Sequence, residues 1–157
     1  RFRNVTGVQT CALPISMYLY WSASQKSLDM SLIDSAQKIN DAMPEYVGRR
    51  IEQIKLSGES NILVVGLAYK PGVSDVRESP SLELLKSLKA QFIEIDWWDE
   101  RIKSWNGEFR SELKKEYDLI VLTHKVKDKE VLKAISRAKL VIDCTGQFRG
   151  QENVEIF

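Results

Sequence analysis

The stretch NILVVGLAY at residues 61–69 decides the fold, because four aliphatic residues run directly into a glycine there. Comparable short apolar runs occupy residues 92–96, 118–123 and 139–143. Near-continuous apolar runs of this length are typical of strands buried on both faces, as in parallel sheets covered by helices. The sequence therefore predicts an α/β fold built on a Rossmann-like parallel sheet.

Helical patterns separate these strands at residues 80–89, 109–116 and 129–138. The alternation predicts the element order βαβαβαβ. Upstream of the sheet, apolar residues recur every three or four positions over residues 27–56, which predicts a long amphipathic helical segment. Pro44 lies inside this segment and predicts a kink or a break after Met43, because proline removes a backbone donor.

Composition narrows the classes of partner. The 157 residues include 23 Lys and Arg against 22 Asp and Glu, so the formal charge is +1 and no overall field selects nucleic acid. No apolar run approaches the roughly 18 residues that a membrane span needs, and we expect no membrane partner and a cytoplasmic location by default. Two cysteines and a single histidine predict neither a disulfide framework nor a metal site.

The first sixteen residues differ in character from the rest. Residues 5–15 read VTGVQTCALPI, which is the in-frame translation of a common sequencing adapter. We therefore expect residues 1–16 to be non-native, the natural protein to begin near Met17, and Cys11 to be an artefact. The helical segment that follows is expected to end near Gly58, which suits a left-handed helix cap.

The loop after the first predicted strand reads GLAYKPGVSDVRESP at residues 66–80. Ligands of open parallel sheets bind beyond the carboxyl ends of the strands, so this loop is a candidate binding site. Ser79 and Pro80 suit the start of a helix, whose free amides, together with Lys70 and Arg77, favour a phosphate or a diphosphate. The loop contains neither G-x-G-x-x-G nor G-x-x-x-x-G-K-[ST], and so it does not by itself indicate dinucleotide binding.

A simpler interpretation of the same loop remains open. Lys70 and Arg77 could be solvated charges that pair with Asp75 and Glu78. Residue chemistry alone does not decide between an anion site and a pair of surface ion pairs.

The fifteen loop residues closely resemble the opening of the C-terminal domain of the nucleotide-sugar dehydrogenase family, which includes the UDP-glucose, UDP-N-acetylhexosamine and GDP-mannose 6-dehydrogenases. The resemblance covers nearly all of residues 17–157. YLYW at residues 18–21 resembles the segment after the family's catalytic cysteine loop, and INDAMPEYV at residues 39–47 resembles its central dimerisation helix. Both segments are most similar to the UDP-N-acetylhexosamine branch.

The resemblance implies a domain division and an activity. Residues 17–57 would end a central helical dimerisation domain, with a homodimer formed through residues 28–56, and residues 58–157 would form the C-terminal UDP-sugar-binding domain. The parent enzyme would oxidise the sugar C6 alcohol to a carboxylate for polysaccharide biosynthesis, using two NAD⁺ and a cysteine thiolate. NAD would be bound mainly by an N-terminal domain that this sequence does not include.

Carried over by position, Tyr69 and Lys70 would contact the nucleotide sugar, and Arg77 would reach the NAD. Lysine suits a phosphate as a point charge, whereas arginine can grip one with a planar fork. Cys11 falls at the family's nucleophile position, but Ile15 stands where an aspartate is expected. The chain alone is therefore predicted to be inactive.

Further candidates end the later strands. His124 follows the third strand, where it is either a substrate-edge residue or a polar strand terminus. Relatives often place an arginine after the last strand; Thr145 stands there instead, and Arg149 could substitute for that arginine in binding the nucleotide. Cys144 is expected to be a buried small apolar residue, and Asp99 is expected to cap a turn because the glycine-rich turn of an NAD site is missing.

Two other functions remain open at this point. The same loop could serve a non-catalytic nucleotide-binding or regulatory α/β module. The chain could also be an α/β scaffold whose long helix serves to dimerise.

Overall fold

The computed structural model describes residues 18–54, 56–57, 59–92 and 94–156. The expectations about residues 1–16, Met17 and Gly58 fall outside the described residues. Residues 18–24 are helical, and the helices after them are α1 (Ser31–Gln53), α2 (Pro80–Lys89) and α3 (Lys129–Arg137).

The described strands form one five-stranded parallel sheet and one short hairpin. The sheet contains β1 (Ile62–Val65), β2 (Ile95–Trp98), β5 (Leu119–Leu122), β6 (Leu140–Asp143) and β7 (Val154–Ile156), and the hairpin contains β3 (Ser104–Trp105) and β4 (Glu108–Phe109). The strand order is β2-β1-β5-β6-β7, and every neighbouring pair is parallel. The order changes direction at β1, so a topological switch point lies between β1 and β5.

Helices cover both faces of the sheet, which confirms the predicted Rossmann-like α/β fold. On one face, α1 and α2 bury Val47, Ile51, Leu84, Leu85 and Leu88 against alternate residues of the strands. On the other face, α3 buries Val131, Ala134 and Ile135. All four residues of β1 and of β5 are buried, as their continuous apolar sequences require.

The predicted break at Pro44 is wrong, because α1 continues through this residue. The carbonyl of Asn40, a half-buried residue, loses its helical donor there because proline carries no N–H. Val47 and Ile51 then hold the second half of α1 on the core, at relative exposures of 4% and 0%. Tertiary packing thus outweighs the local cost of the proline.

The predicted helix at residues 109–116 is also wrong. Asn106 and Gly107, at φ 51° and 81°, turn the chain back into the β3–β4 hairpin. The following segment then runs beside the edge strand β2, where the backbone N–H of Ser111 donates to the carbonyl of Trp97 at 2.9 Å. The chain therefore reaches β5 through residues 110–118 without a helix.

The strand β7, which is the last strand of the five-stranded sheet, was not among the predicted strands. It pairs only with β6 among the described strands, and its Glu155 lies 3.1 Å from the guanidinium of Arg50 on α1. Its three residues are too few to give a clear periodicity in the sequence. Among the described residues, no helix is both long enough and apolar enough to cross a membrane.

Candidate functional site

A cleft lies at the carboxyl edge of the sheet, at the switch point between β1 and β5. The cleft is small, with a cavity volume of about 30 Å³, and three loops line it. The β1 loop contributes Gly66, Pro71 and Gly72, the β2 loop contributes Asp99 and Glu100, and the β5 loop contributes residues 124–128. Open α/β sheets bind their ligands at this position.

The contact between Gly66 and His124 forms the floor of the cleft. Gly66 has a φ of +100°, and a Cβ added there would lie 2.6 Å from Cγ of His124. Thr123 closes the same junction, because its Oγ1 lies 2.6 Å from the carbonyl oxygen of Gly66 and 2.9 Å from that of Val65. Glycine is therefore required where the chain leaves β1.

Asp99 connects the β1 and β2 loops. One carboxylate oxygen accepts hydrogen bonds from the amides of Leu67 (2.8 Å) and Ala68 (3.1 Å). The other accepts from the amides of Arg101 (2.8 Å) and Ile102 (3.1 Å). The predicted turn-capping role is confirmed, and it includes holding the first residues of the candidate binding loop.

His124 is nearly buried beside this carboxylate. Its side chain is 12% exposed, and its Nδ1 lies 4.0 Å from Oδ2 of Asp99. Burial lowers the pKa of His124 below its ordinary value, while the Asp99 carboxylate and the Ala68 backbone act in the opposite direction. The imidazole is therefore neutral at neutral pH.

Tyr69 and Lys70 lie between the anchored start of the β1 loop and its cleft-lining residues, and both side chains are half-buried. The amide of Tyr69 donates to the carbonyl of Asp75 at 2.7 Å. Ser79 occupies the N-cap position of α2, as expected, but its hydroxyl donates to the carbonyl of Ala68 at 3.2 Å. The loop is thus folded back on itself, with Lys70 adjoining the cleft wall at Pro71.

Arg77 points away from this arrangement. It does not line the cleft, its side chain is 85% exposed, and its guanidinium pairs with Asp75 through contacts of 2.7 and 3.0 Å. The pairing lowers the pKa of Asp75 to about 2. The interpretation of Arg77 as a charge paired with Asp75 therefore describes the structure, and the loop does not bring Arg77 into the cleft with His124.

Arg149 lies in the exposed turn after β6, outside the cleft but on the same edge of the sheet. Gln147 joins this turn to the β5 loop: Val126 N–H donates to its Oε1 at 2.8 Å, and its Nε2 donates to the Val126 carbonyl at 2.7 Å. Asp143, fully buried, accepts from the amides of Thr145 and Phe148, both at 2.8 Å.

Sequence reasoning missed both of these anchoring residues. The spacing of Asp143 and Thr145 is an Asx-turn signal that could have been recognised. Nothing in the sequence indicates the partner of Gln147.

The described cysteine is not a nucleophile. Burial raises the pKa of Cys144 to about 12, so the thiol stays protonated, and the side chain packs against the core but is half-buried rather than fully buried as expected. Cys11 is outside the described residues. Within the described ranges, no group of three or more His, Cys, Asp and Glu side chains could hold a metal ion.

The residues of this sheet do not fit a dinucleotide. The sequence has no G-x-G-x-x-G turn. Asp99 stands after the second strand, where a dinucleotide fold places its ribose-binding acid, but backbone amides already occupy both of its oxygens.

Comparison with known proteins points to one family. The profile of the UDP-glucose/GDP-mannose dehydrogenase family, UDP binding domain, matches residues 63–149, more than half of the chain. A UDP-N-acetyl-D-mannosamine dehydrogenase of Methanocaldococcus jannaschii is 29% identical over 133 residues, which are 78% of this chain and 31% of that relative. Its Pyrococcus horikoshii counterpart is 27% identical over 146 residues, 87% of this chain and 34% of that relative.

A solved structure agrees with the fold. A UDP-glucose dehydrogenase from Pyrobaculum islandicum superposes with a TM-score of 0.72 at 18% identity, over 93% of this chain and 36% of that one. The chain thus spans about a third of the length of these relatives. With the cleft in the position where such sheets bind ligands, the profile match establishes that the chain belongs to the UDP-glucose/GDP-mannose dehydrogenase family, with relatives in its UDP-N-acetylhexosamine branch.

Proposed function

We propose that the cleft binds the nucleotide part of a UDP-sugar, and that the whole protein is a cytoplasmic dehydrogenase. In this proposal, it oxidises the C6 alcohol of a UDP-N-acetylhexosamine to a carboxylate. NAD supplies the oxidising power from a domain that this chain does not carry, since the described residues do not fit a dinucleotide. The match to the UDP binding domain is the observation that supports this function most directly.

The cleft offers lysine side chains to a pyrophosphate. Lys125 and Lys127 line it together with Asp99, Glu100 and Asp128, and Lys70 adjoins its wall through Pro71. Ammonium groups around a partly enclosed site attract phosphate oxygens, and the hydrogen bonds are strengthened by charge. Tyr69, Lys70 and His124 are the proposed contacts of the nucleotide sugar, and Arg149 would approach from the turn that Gln147 holds nearby.

Arg77 is proposed to act outside the cleft. Its two-point pairing with Asp75 uses the same fork geometry that guanidinium groups use on phosphates. The pair is solvent-exposed, so exchange of Asp75 for a phosphate costs little. We assign Arg77 to the NAD phosphates in the whole protein.

The long helix is proposed to form a homodimer through residues 28–56. Its outer side carries large apolar side chains at helical spacing, with Leu32 81%, Ile39 66% and Tyr46 45% exposed. Contiguous apolar surface of this kind is typical of a face that a partner covers. Domain boundaries at residues 16 and 57 belong to the same proposal.

A binding role without turnover is the second candidate for the chain on its own. It is favoured by Cys144, whose high pKa leaves the described residues without an activated thiol. Both candidates require the same nucleotide contacts, so one experiment addresses the site that they share.

Calorimetric titration of the chain with UDP tests the site. We expect saturable binding that Lys70→Ala weakens by about tenfold or more, the loss typical of one charge-assisted hydrogen bond. Lys86→Ala is the matched control, because Lys86 is an exposed lysine in the last turn of α2. Absence of binding at millimolar UDP, or equal weakening by both variants, would contradict the proposed site.

A further inference from the structure

His124 is the single histidine of the sequence, and its place in the fold is unusual for a titratable group. The ring is packed against Gly66 at the floor of the cleft and is largely shielded from solvent. It also faces a carboxylate, Asp99, at 4.0 Å. A buried imidazole takes up a proton only when a nearby group stabilises its charged form.

The charged groups that line the cleft with His124 come from two of the three loops. Asp99 and Glu100 follow β2, and Lys125, Lys127 and Asp128 follow β5. The cleft residues of the β1 loop, Gly66, Pro71 and Gly72, are uncharged. The two lysines disfavour a third positive charge and the three carboxylates favour it, but Asp99, at 4.0 Å from the ring, already accepts from four backbone amides.

A pyrophosphate in the cleft would shift this balance. It would bring two further negative charges to a lining that contains three carboxylates and two lysines around the imidazole. Negative charge added beside the ring favours its protonated form. Protonation of His124 is therefore more favourable in the occupied cleft than in the empty one.

We infer that His124 couples nucleotide binding to the uptake of a proton, so that the cleft holds a UDP-sugar more tightly as the pH falls. This inference rests on the proposed function and adds its regulation. The proton passes from solvent to the imidazole, and no other bond changes. Asp99 is a positioning residue in this coupling, because its carboxylate fixes the start of the β1 loop and lies beside the imidazole ring.

Linkage fixes the sign and the size of the effect. If the ligand raises the pKa of His124, the liganded protein binds more protons, and affinity must rise as the pH falls through that pKa. A rise of one pKa unit corresponds to a tenfold ratio between the low-pH and high-pH affinities. Two independent measurements, the pKa change and the affinity ratio, must then agree.

The first measurement is an NMR titration of the full chain, whose single imidazole needs no assignment by mutation. The ligand is UDP-N-acetylglucosamine, because the pyrophosphate diester keeps its charge between about pH 5.5 and 8, whereas a terminal phosphate titrates near pH 6. We expect the His124 pKa to rise by about half a unit or more at saturation. Uridine, which has the base and ribose without phosphate, should leave the pKa unchanged.

The second measurement is calorimetry of the same ligand at pH 5.5 and pH 8. We expect higher affinity at pH 5.5, by a factor that approaches about three for a rise of half a pKa unit when the low pH lies well below both pKa values. His124→Gln should bind more weakly and lose the pH dependence, while Lys86→Ala should keep it. If His124→Gln does not fold, the NMR comparison on the unmodified chain decides alone.

The outcomes separate the two proposals. Binding that leaves the His124 pKa unmoved and the affinity independent of pH overturns proton coupling but leaves the nucleotide site standing. Failure to bind UDP-N-acetylglucosamine at any pH overturns both. A pKa rise that also occurs with uridine overturns the assignment to the pyrophosphate.

Discussion

Gly66 shows how much of the site depends on one residue. Its missing side chain lets the chain leave β1 at a φ of +100° and lets His124 close the floor of the cleft. The requirement has two independent causes, the backbone angle and the steric contact. A substitution there disturbs both the stability of the fold and the position of the proposed ligand contacts.

Gly66→Ala is expected to destabilise the chain by about 2 to 5 kcal/mol, from a strained backbone plus overpacking against His124. The measurement is urea unfolding followed by tryptophan fluorescence. Gly107→Ala is the matched control, because its φ is +81° but an added Cβ meets no described atom within 4 Å. Equal losses in the two variants would show that the contact with His124 contributes nothing.

Residue roles that depend on neighbours in the sequence were predictable, and those that depend on distant partners were not. Asp99 caps a turn that includes Arg101 and Ile102, two and three positions later. The contact of Gly66 with the 123–124 turn spans 57 positions and follows only from the pairing of β1 with β5. Arg77 was predictable as one of two alternatives, because Asp75 competes locally for its guanidinium.

At the scale of elements, the site consists of loops that fasten one another. Asp99 joins the β2 loop to the β1 loop, and Gln147 joins the turn after β6 to the β5 loop. These bonds leave the strands as the rigid base and fix the loops relative to it. Arg149 and His124 share an edge of the sheet because β5 and β6 are parallel, and Gln147 joins the two loops at that edge.

Gln147→Leu is expected to cost about 1 to 3 kcal/mol, because it removes two hydrogen bonds and leaves the N–H and C=O of Val126 without these partners. Hydrogen exchange at the Val126 amide should rise with it, while exchange in β1 should not. Gln91→Leu, at an exposed position after α2, should change stability by less than about 0.5 kcal/mol. An unchanged Val126 exchange rate would argue against the clamp.

The elements that the sequence predicted correctly are those whose pattern is strong over their whole length. β1, β5 and β6 are continuous aliphatic runs, and α2 has both a start signal at Ser79-Pro80 and an apolar stripe. The helix predicted over residues 109–116 is wrong, because this segment is irregular. Its apolar residues, such as Leu113, pack on the face of the sheet that α3 covers. The break predicted after Met43 is wrong, because the packing of Val47 and Ile51 outweighs the low helix propensity of Pro44.

At the scale of the whole molecule, the outer side of α1 is the surface that the fold leaves uncovered. Leu32 and Ile39 are seven residues apart and therefore lie on the same side of the helix. Their exposure contrasts with the buried inner side at Val47 and Ile51. Two copies that cover this stripe would remove it from water on both chains at once.

The double substitution Leu32→Asp, Ile39→Asp is expected to convert the proposed dimer to monomer, raising its dissociation constant by at least about a hundredfold. Sedimentation equilibrium measures this change directly. Phe109→Asp is the control, because Phe109 is 80% exposed but lies on the hairpin. A monomeric unmodified chain, or dissociation caused equally by Phe109→Asp, would contradict the dimer.

The position of β1 in the sheet also determines when its two edges are paired during synthesis. Its two neighbours are β2, which follows within the next forty or so positions, and β5, which comes 57 positions after it. A nascent polypeptide leaving the ribosome therefore carries an interior strand with one edge open until β5 emerges. That edge of β1 stays unpaired for the time the ribosome needs to translate the hairpin and the segment after it.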